Sequence, residues 1–357
     1  MKVRGQEVLL PTTMVGSYPR PHWLTGKVFG ESDEPDFIDY LTKEYYEDAV
    51  MVCVKEQEEA GLDIVTDGQL YLESETSHEY GQVFHFMAHH LGGFKKFGEP
   101  IAIELYKKFH APIVHDKVHW DRPILAPVLE ATKAATKSPV KIACQGPLFL
   151  AFCCTDRYYG DVKPLAMDIA RAYNEEFKDL VRRGIDLIQI HEPLTYYVEA
   201  LGAQYWFIDA LNIAFDGIET YKVWHICYGN QGGNPGVSNT QGNIMFPFAY
   251  DANVNQIHIE LKSRGLDDLA YLKDFPKDKD LGVGTINVKT LVIETPQEVA
   301  NVVREAMKVV PPERICVSTD CGLLNLKREH ARRKLKAIVE GTNIVRAELE
   351  RRKAATA

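Results

Sequence analysis

The chain has 357 residues, 45% of them hydrophobic and 25% charged, with a formal net charge of −9. This composition excludes a disordered or collagen-like chain; it has no ~20-residue apolar run for a membrane span, and its acidic balance argues against a nucleic-acid partner. Seven cysteines scattered over a long chain do not read as a disulfide framework. The N-terminal MKVRGQEVLLPTT has no apolar stretch of signal-peptide length, so a cytoplasmic protein is expected.

In chain order, short apolar runs alternate with amphipathic stretches of helical period. The runs predict strands at Thr12–Ser17, Leu62–Asp67, Val140–Gln145, Ile185–His191, Lys222–Tyr228, Asn255–Leu261, Leu281–Asn287 and Arg314–Asp320. They are continuous rather than alternating, as parallel strands buried on both faces require. Helices are predicted over Phe37–Ala60, which stops at Gly61, and over Pro164–Arg183, which stops at Gly184. Two more, Pro296–Val310 and Arg328–Arg351, follow the last two strands. About eight strand–helix units imply the α/β class and a (β/α)8 TIM barrel, with its active site at the C-terminal ends of the strands. A doubly wound open sheet is the alternative. No repeat or linker marks a boundary, so one barrel domain is expected over 1–357 rather than the two that a prior of about 150 residues per domain suggests. Residues 69–139 exceed an ordinary connection between strand and helix. They predict an excursion or lid over the barrel mouth, or equally a packing subdomain.

The cysteines divide by position. Cys53 falls in a helix and Cys144 and Cys316 in strands, where a free thiol behaves as a small hydrophobe. His225 and Cys227 stand two apart on a strand, so their side chains share a face. Cys321 follows the last strand, and Glu260 ends the apolar run NQIHIE. Barrel strand ends converge, so His, Cys, Glu and Cys form an N/S/O set suited to zinc. A core histidine beside a core cysteine, and a purely structural zinc, are the competing readings. His85, His89 and His90 lie in the excursion, where a solvated helix face is the plainer reading. The KREHARRKLK run reads as a solvated helix face.

The ordered motifs TTMVGSYPRP, EEAGLDIVTDGQ, QGPLFLAF, IQIHEP, WHICYGN, IHIELKSR, LGVGTINV and STDCGLLNLKR resemble the C-terminal catalytic barrel of cobalamin-independent methionine synthase. The resemblance covers almost the whole chain. It implies one zinc held by His225, Cys227, Glu260 and Cys321, and alkylation of a thiol that the zinc keeps as thiolate. Four protein ligands would close the site, so catalysis needs one of them, Glu260 most directly, to yield to substrate or the zinc to expand.

The departures from that family change the expected substrate. The two acids that face the amino group of homocysteine in the family fall on Gln69, in TDGQ, and His191, in QIHEP. Burying an ammonium without a counter-charge costs several kcal/mol, so a thiol without an α-amino group is implied. The folate-stacking Trp falls on Cys153, the general-acid His on Lys289 and a neighbouring Asp on Asn287. Gly16 and Ser17 keep the backbone that takes the substrate's carboxylate, and Arg20, His191 and Lys289 add positive charge for an anion. A short anionic thiol without an amine suggests coenzyme M, which a relative of this barrel, epoxyalkane:coenzyme M transferase, uses to open epoxides. Lys289 or His191 would then protonate the alkoxide, unless Lys289 is a surface lysine or His191 a core histidine. Gly16, Ser17, Arg20, Gln69, Glu192 and Cys153 are the expected substrate-binding residues, Glu192 orienting its neighbours. Asp67 and Asp320 are expected as supporting or helix-capping residues; Cys154 has no reading. The alternatives are a short methionine synthase, methylating homocysteine from methylcobalamin, a corrinoid protein or a folate, and a non-catalytic zinc- or thiol-binding barrel. The expected partners are a small thiol and an alkyl donor, with no nucleic acid or membrane.

Overall fold

Seven parallel strands make one sheet, in the order Val65–Thr66, Val140–Gln145, Leu187–His191, Tyr221–Ile226, Gln256–Ile259, Asp280–Gly284 and Ile315–Ser318. The computed structural model describes residues 1–24, 40–72, 85–95, 100–104, 107–193, 195, 198–199, 202–226, 228–229, 246 and 248–356. Strand order follows chain order, as right-handed crossovers produce in a barrel. The eighth position is filled by the segment at Thr12. Its carbonyl accepts from Ile64 (3.1 Å) on one side, and Thr13 donates to Val317 (3.0 Å) on the other. The ring of the expected barrel is thereby joined between its first and last strands.

Thr12–Ser17 is not a ladder strand, only a single bridge at Thr12. Its backbone groups are instead taken by side chains reaching across the barrel. Lys141 Nζ donates to the Met14 carbonyl (2.7 Å), Gln189 Nε2 to that of Val15 (2.7 Å) and Thr66 Oγ1 to that of Gly16 (2.9 Å). The backbone polar groups are satisfied without strand pairing. The barrel interior is accordingly polar along much of its height, with Lys141, Gln189, His225 and His258 all buried. Beneath them Met1, Val3, Ile64, Leu187, Val223 and Cys316 form an apolar floor.

Helices surround the sheet at Tyr40–Ala60, Ala126–Ala135, Val162–Arg182, Phe207–Ala214, Pro296–Ala306 and Arg328–Thr356. Val162–Arg182 starts at Asp161, whose side chain accepts from the Lys163 amide, and buries Leu165, Ile169, Tyr173, Phe177 and Leu180. Pro296–Ala306 begins with a reciprocal capping box between Thr295 and Glu298. Within 69–139, Ala126–Ala135 packs on Tyr40–Ala60 and belongs to the helical layer. The rest carries a short helix, His85–His90, and a strand, Gly92–Lys95, antiparallel to Ile113–His119. Ile113–His119 also pairs with Thr155–Asp156, just beyond Cys153 and Cys154, which ties the excursion to the rim of the barrel. Cys53, Cys144 and Cys316 are buried as expected. Among the described residues no helix is long and apolar enough to cross a membrane.

Candidate metal and substrate site

At the C-terminal ends of the strands, register places His191, His225 and His258 side by side, His191 opposite His225 and His225 opposite His258. All three point inward and are buried. His225 Nδ1 lies 2.7 Å from His258 Nδ1, while His225 Nε2 is buried and makes no hydrogen bond. Burial, and then His258 and His191, hold the His225 imidazole well below its ordinary pKa, so it is a neutral ring with a lone pair to offer. His191 stands edge-on to His225 with centroids 5.2 Å apart. Burial and the nearby Lys141 push its pKa down to about 3. The ring gives a nitrogen and no charge, and the positive charge expected at this end falls to Arg20 and Lys289.

Glu260 follows Gln256–Ile259 directly and is fully buried. It accepts from Lys289 Nζ, from Ser263 Oγ and from the Tyr228 amide (3.1 Å). Lys289 is thus an inward, buried cation paired with the carboxylate, not a solvated lysine. Asp320 shapes this corner by accepting from the amides of Leu261 (3.0 Å), Lys262 (2.9 Å) and Ser263 (2.7 Å). It caps the turn at Lys262–Arg264 and presents Ser263 to Glu260. Burial, and then the charge of Glu260, push Asp320 up to about 7. Cys321 comes one residue later and is half-buried. Its loop meets the first strand position: a Cβ on Gly322 would stand 2.0 Å from Ser17 Oγ, and Leu323 donates to the Ser17 carbonyl (2.8 Å).

Gly16 and Gln69 are a second close approach. Gln69 holds a left-handed backbone (φ 47°), donates its amide to the Ala143 carbonyl (3.0 Å), and leaves no room for a Cβ on Gly16, which would lie 2.6 Å from Gln69 Oε1. Arg20 is half-buried and acts on the Tyr46 hydroxyl. Asp67 acts on Tyr46, Cys53 and Tyr71 behind the sheet, and burial pushes it up to about 7. Glu192 accepts from the amides of Leu148 (2.8 Å) and Phe149 (3.0 Å), the first turn of Pro147–Phe152. Cys153 closes the far end of that helix with its thiol buried, and Cys154 Sγ donates to the Ala151 carbonyl (3.2 Å). His89 and His90 are half-buried, with His90 Nδ1 2.7 Å from the Phe86 carbonyl.

Cys227 lies outside the described residues. Without it, no three His, Cys, Asp or Glu groups among the described residues stand close enough to hold a metal. What the structure does bring to one corner is the neutral His225 with an unused buried nitrogen, the buried carboxylate Glu260, and the loop of Cys321. These donors fit zinc, for which an imidazole lone pair, a carboxylate and thiolates are the common ligands. Sequence reasoning missed His258 and Lys141. The rule that paired His225 with Cys227 also pairs His258 with Glu260, two apart on one strand, so that signal was present.

The profile of the cobalamin-independent synthase catalytic domain matches residues 10–343. The chain belongs to that family. Among curated relatives, 2-hydroxypropyl-CoM lyase of Xanthobacter autotrophicus is 34% identical over 389 aligned positions, covering 99% of this chain and 100% of that one. Methionine synthase of Saccharolobus solfataricus is 33% identical over 349 residues, covering 96% and 97%. A B12-independent methionine synthase from Shewanella sp. W3-18-1, solved in complex with selenomethionine, superposes with a TM-score of 0.82 at 27% identity, covering 96% of this chain and 99% of that one. Family membership supports transferase activity, with alkyl or methyl transfer to a thiol as the chemistry at the level of the family.

Proposed function

We propose that the chain is a zinc-dependent alkyltransferase that joins a small anionic thiol without an α-amino group, most concretely coenzyme M, to an epoxyalkane. The observation that carries this reading is the pair Gln69 and His191. At the two positions where the resemblance puts acids for the ammonium of homocysteine, one side chain is an amide engaged by Ala143 and the other an imidazole kept neutral by burial. Neither offers a counter-charge, and a buried unpaired ammonium is strongly disfavoured. The end-to-end match to a relative named 2-hydroxypropyl-CoM lyase supports the same substrate class.

His225, Cys227, Glu260 and Cys321 would hold the metal. When bound, zinc supplies a Lewis acid that keeps the substrate sulfur as thiolate at neutral pH. The Gly16–Ser17 backbone and Arg20 receive the anionic end of the thiol. As sulfur bonds to the terminal epoxide carbon, the carbon–oxygen bond breaks and the oxygen takes a proton from Lys289 Nζ, giving a 2-hydroxyalkyl thioether. The lysine then regains its proton from solvent, which had received the thiol's. His191 borders the reacting thiol as an uncharged neighbour.

The second reading, a methionine synthase, is favoured by the methionine synthases that match over nearly the same length. One comparison separates the two: zinc-loaded protein given coenzyme M and epoxypropane, against homocysteine and a methyl donor. Formation of the hydroxypropyl thioether without methionine supports the proposal. Methionine formation with no coenzyme M turnover overturns it. Stoichiometric zinc with no alkylation of any thiol would instead make this a non-catalytic metal-binding barrel.

A further inference from the structure

We propose that His258 is a positioning residue that fixes His225 as an Nε2 donor and thereby sets the affinity of the site for zinc. The inference rests on the reading of His225 as a zinc ligand.

The two histidines stand opposite each other on adjacent parallel strands, their rings 4.8 Å apart between centroids and inclined by 51°. Both are buried. At 2.7 Å the two Nδ1 atoms cannot both carry a proton or both be bare; one donates and the other accepts. If His225 donates, its proton is on Nδ1 and its Nε2 is left as a lone pair. That Nε2 makes no hydrogen bond, and the Nε2 of His258 makes none either. His258 then accepts on Nδ1 and holds its own proton on Nε2. A metal on His225 Nε2 needs that lone pair and so selects this arrangement of the two, with His258 Nδ1 accepting the Nδ1 proton and holding the ring orientation. Flipping the His225 ring would face Nε2 to His258 and forfeit the Nδ1–Nδ1 contact. With both rings buried, no solvent replaces the partner. A partner that orients a ligating imidazole typically contributes 10- to 100-fold in metal affinity.

Zinc affinity of the full chain, measured by competition with a chromophoric chelator, tests this in the wild type, His258→Asn, His258→Leu and His225→Ala. Asn places an amide oxygen near the position of Nδ1 and can still accept; Leu fills the volume and cannot. His258→Leu is expected to bind zinc about 10- to 100-fold more weakly, with His258→Asn within about threefold of wild type. The cobalt-substituted Leu variant should also show a shifted visible spectrum. Wild-type affinity in both variants overturns the inference, as does an equal loss in both, which would mean the ring only fills space. Circular dichroism confirms that each variant is folded. A wild type that binds no stoichiometric zinc, or a His225→Ala variant that binds as tightly as wild type, overturns the zinc reading itself and the inference with it.

Discussion

Glu192 and Glu260 each follow a barrel strand directly, on the same rim, yet what surrounds them differs in kind. Both oxygens of Glu192 are taken by main-chain amides, those of Leu148 and Phe149. The fit is close enough that a Cβ on Gly146 would stand 2.1 Å from Glu192 Oε1. Glu260 is held mainly by side chains, Lys289 and Ser263, with a single amide from Tyr228. An amide in a helix's first turn cannot leave, whereas a lysine and a serine rotate away. Glu192 therefore anchors a helix, and under the proposed zinc reading Glu260 has partners to turn to when it is not a ligand. Beside it His225 keeps an unused nitrogen. Satisfaction by backbone marks the fixed part of this rim, and satisfaction by movable side chains marks the part that the proposed reaction uses.

The comparison breaks most visibly at His225. His225→Ala should take zinc per chain from one towards zero, with a loss of alkyl transfer of about 10³-fold or more; metal analysis and turnover measure both. Glu192→Gln should leave zinc content unchanged. Loss of zinc in the Glu192 variant would erase the distinction between the two sides of the rim.

Lys289→Met probes the movable side itself. Removing the cation should lower turnover by about 10²-fold, the usual contribution of a placed proton donor. Zinc should bind as tightly as before or more tightly, because Glu260 loses its competing partner. Weaker zinc binding would mean that Lys289 supports the metal site instead of competing for its carboxylate.

How much of this was legible in the sequence follows from the same contrast. Strand positions and the convergence of His225, Glu260 and Cys321 on one rim follow from apolar runs and from alternation of side chains. Three features do not. Thr12–Ser17 reads as a strand, yet the groups that satisfy it, Lys141, Gln189 and Thr66, come from positions 50 and more residues away. The helix Ala126–Ala135 reads as part of the long excursion because the helical layer and the insertion are continuous in sequence. His191 reads as a source of charge because a sequence does not carry burial, and burial sets its protonation.

Substrate choice sharpens the comparison on a smaller scale. Gln69 is held to the backbone at Ala143 and His191 is buried next to Glu192, so acids placed there should act as counter-charges beside the fixed side of the rim. The double variant Gln69→Glu with His191→Asp should shift relative kcat/KM towards homocysteine by about tenfold or more. An unchanged preference would move the origin of specificity elsewhere, with Arg20 the next residue to vary.

The smallest expected effect lies at Glu192 and reads out in stability. Burial pushes its carboxyl up to about 8 from an ordinary 4.5, with the Leu148 and Phe149 amides pulling the other way. The folded chain therefore keeps this proton where the unfolded chain has released it. Its stabilising contribution is complete below about 4.5 and is lost as pH rises through about 8. Asp67 and Asp320, both raised to about 7, add a slope of the same sign. Gln cannot ionise, but its amide group faces one of the two helix amides with a donor, which costs about 1 kcal/mol. Urea unfolding at pH 5 should find Glu192→Gln less stable by about that amount. Each pKa unit is worth about 1.4 kcal/mol, so by pH 8 the gap should close or reverse. Parallel stability curves for the two proteins would mean that Glu192 is ionised throughout, held as an anion by the helix it caps.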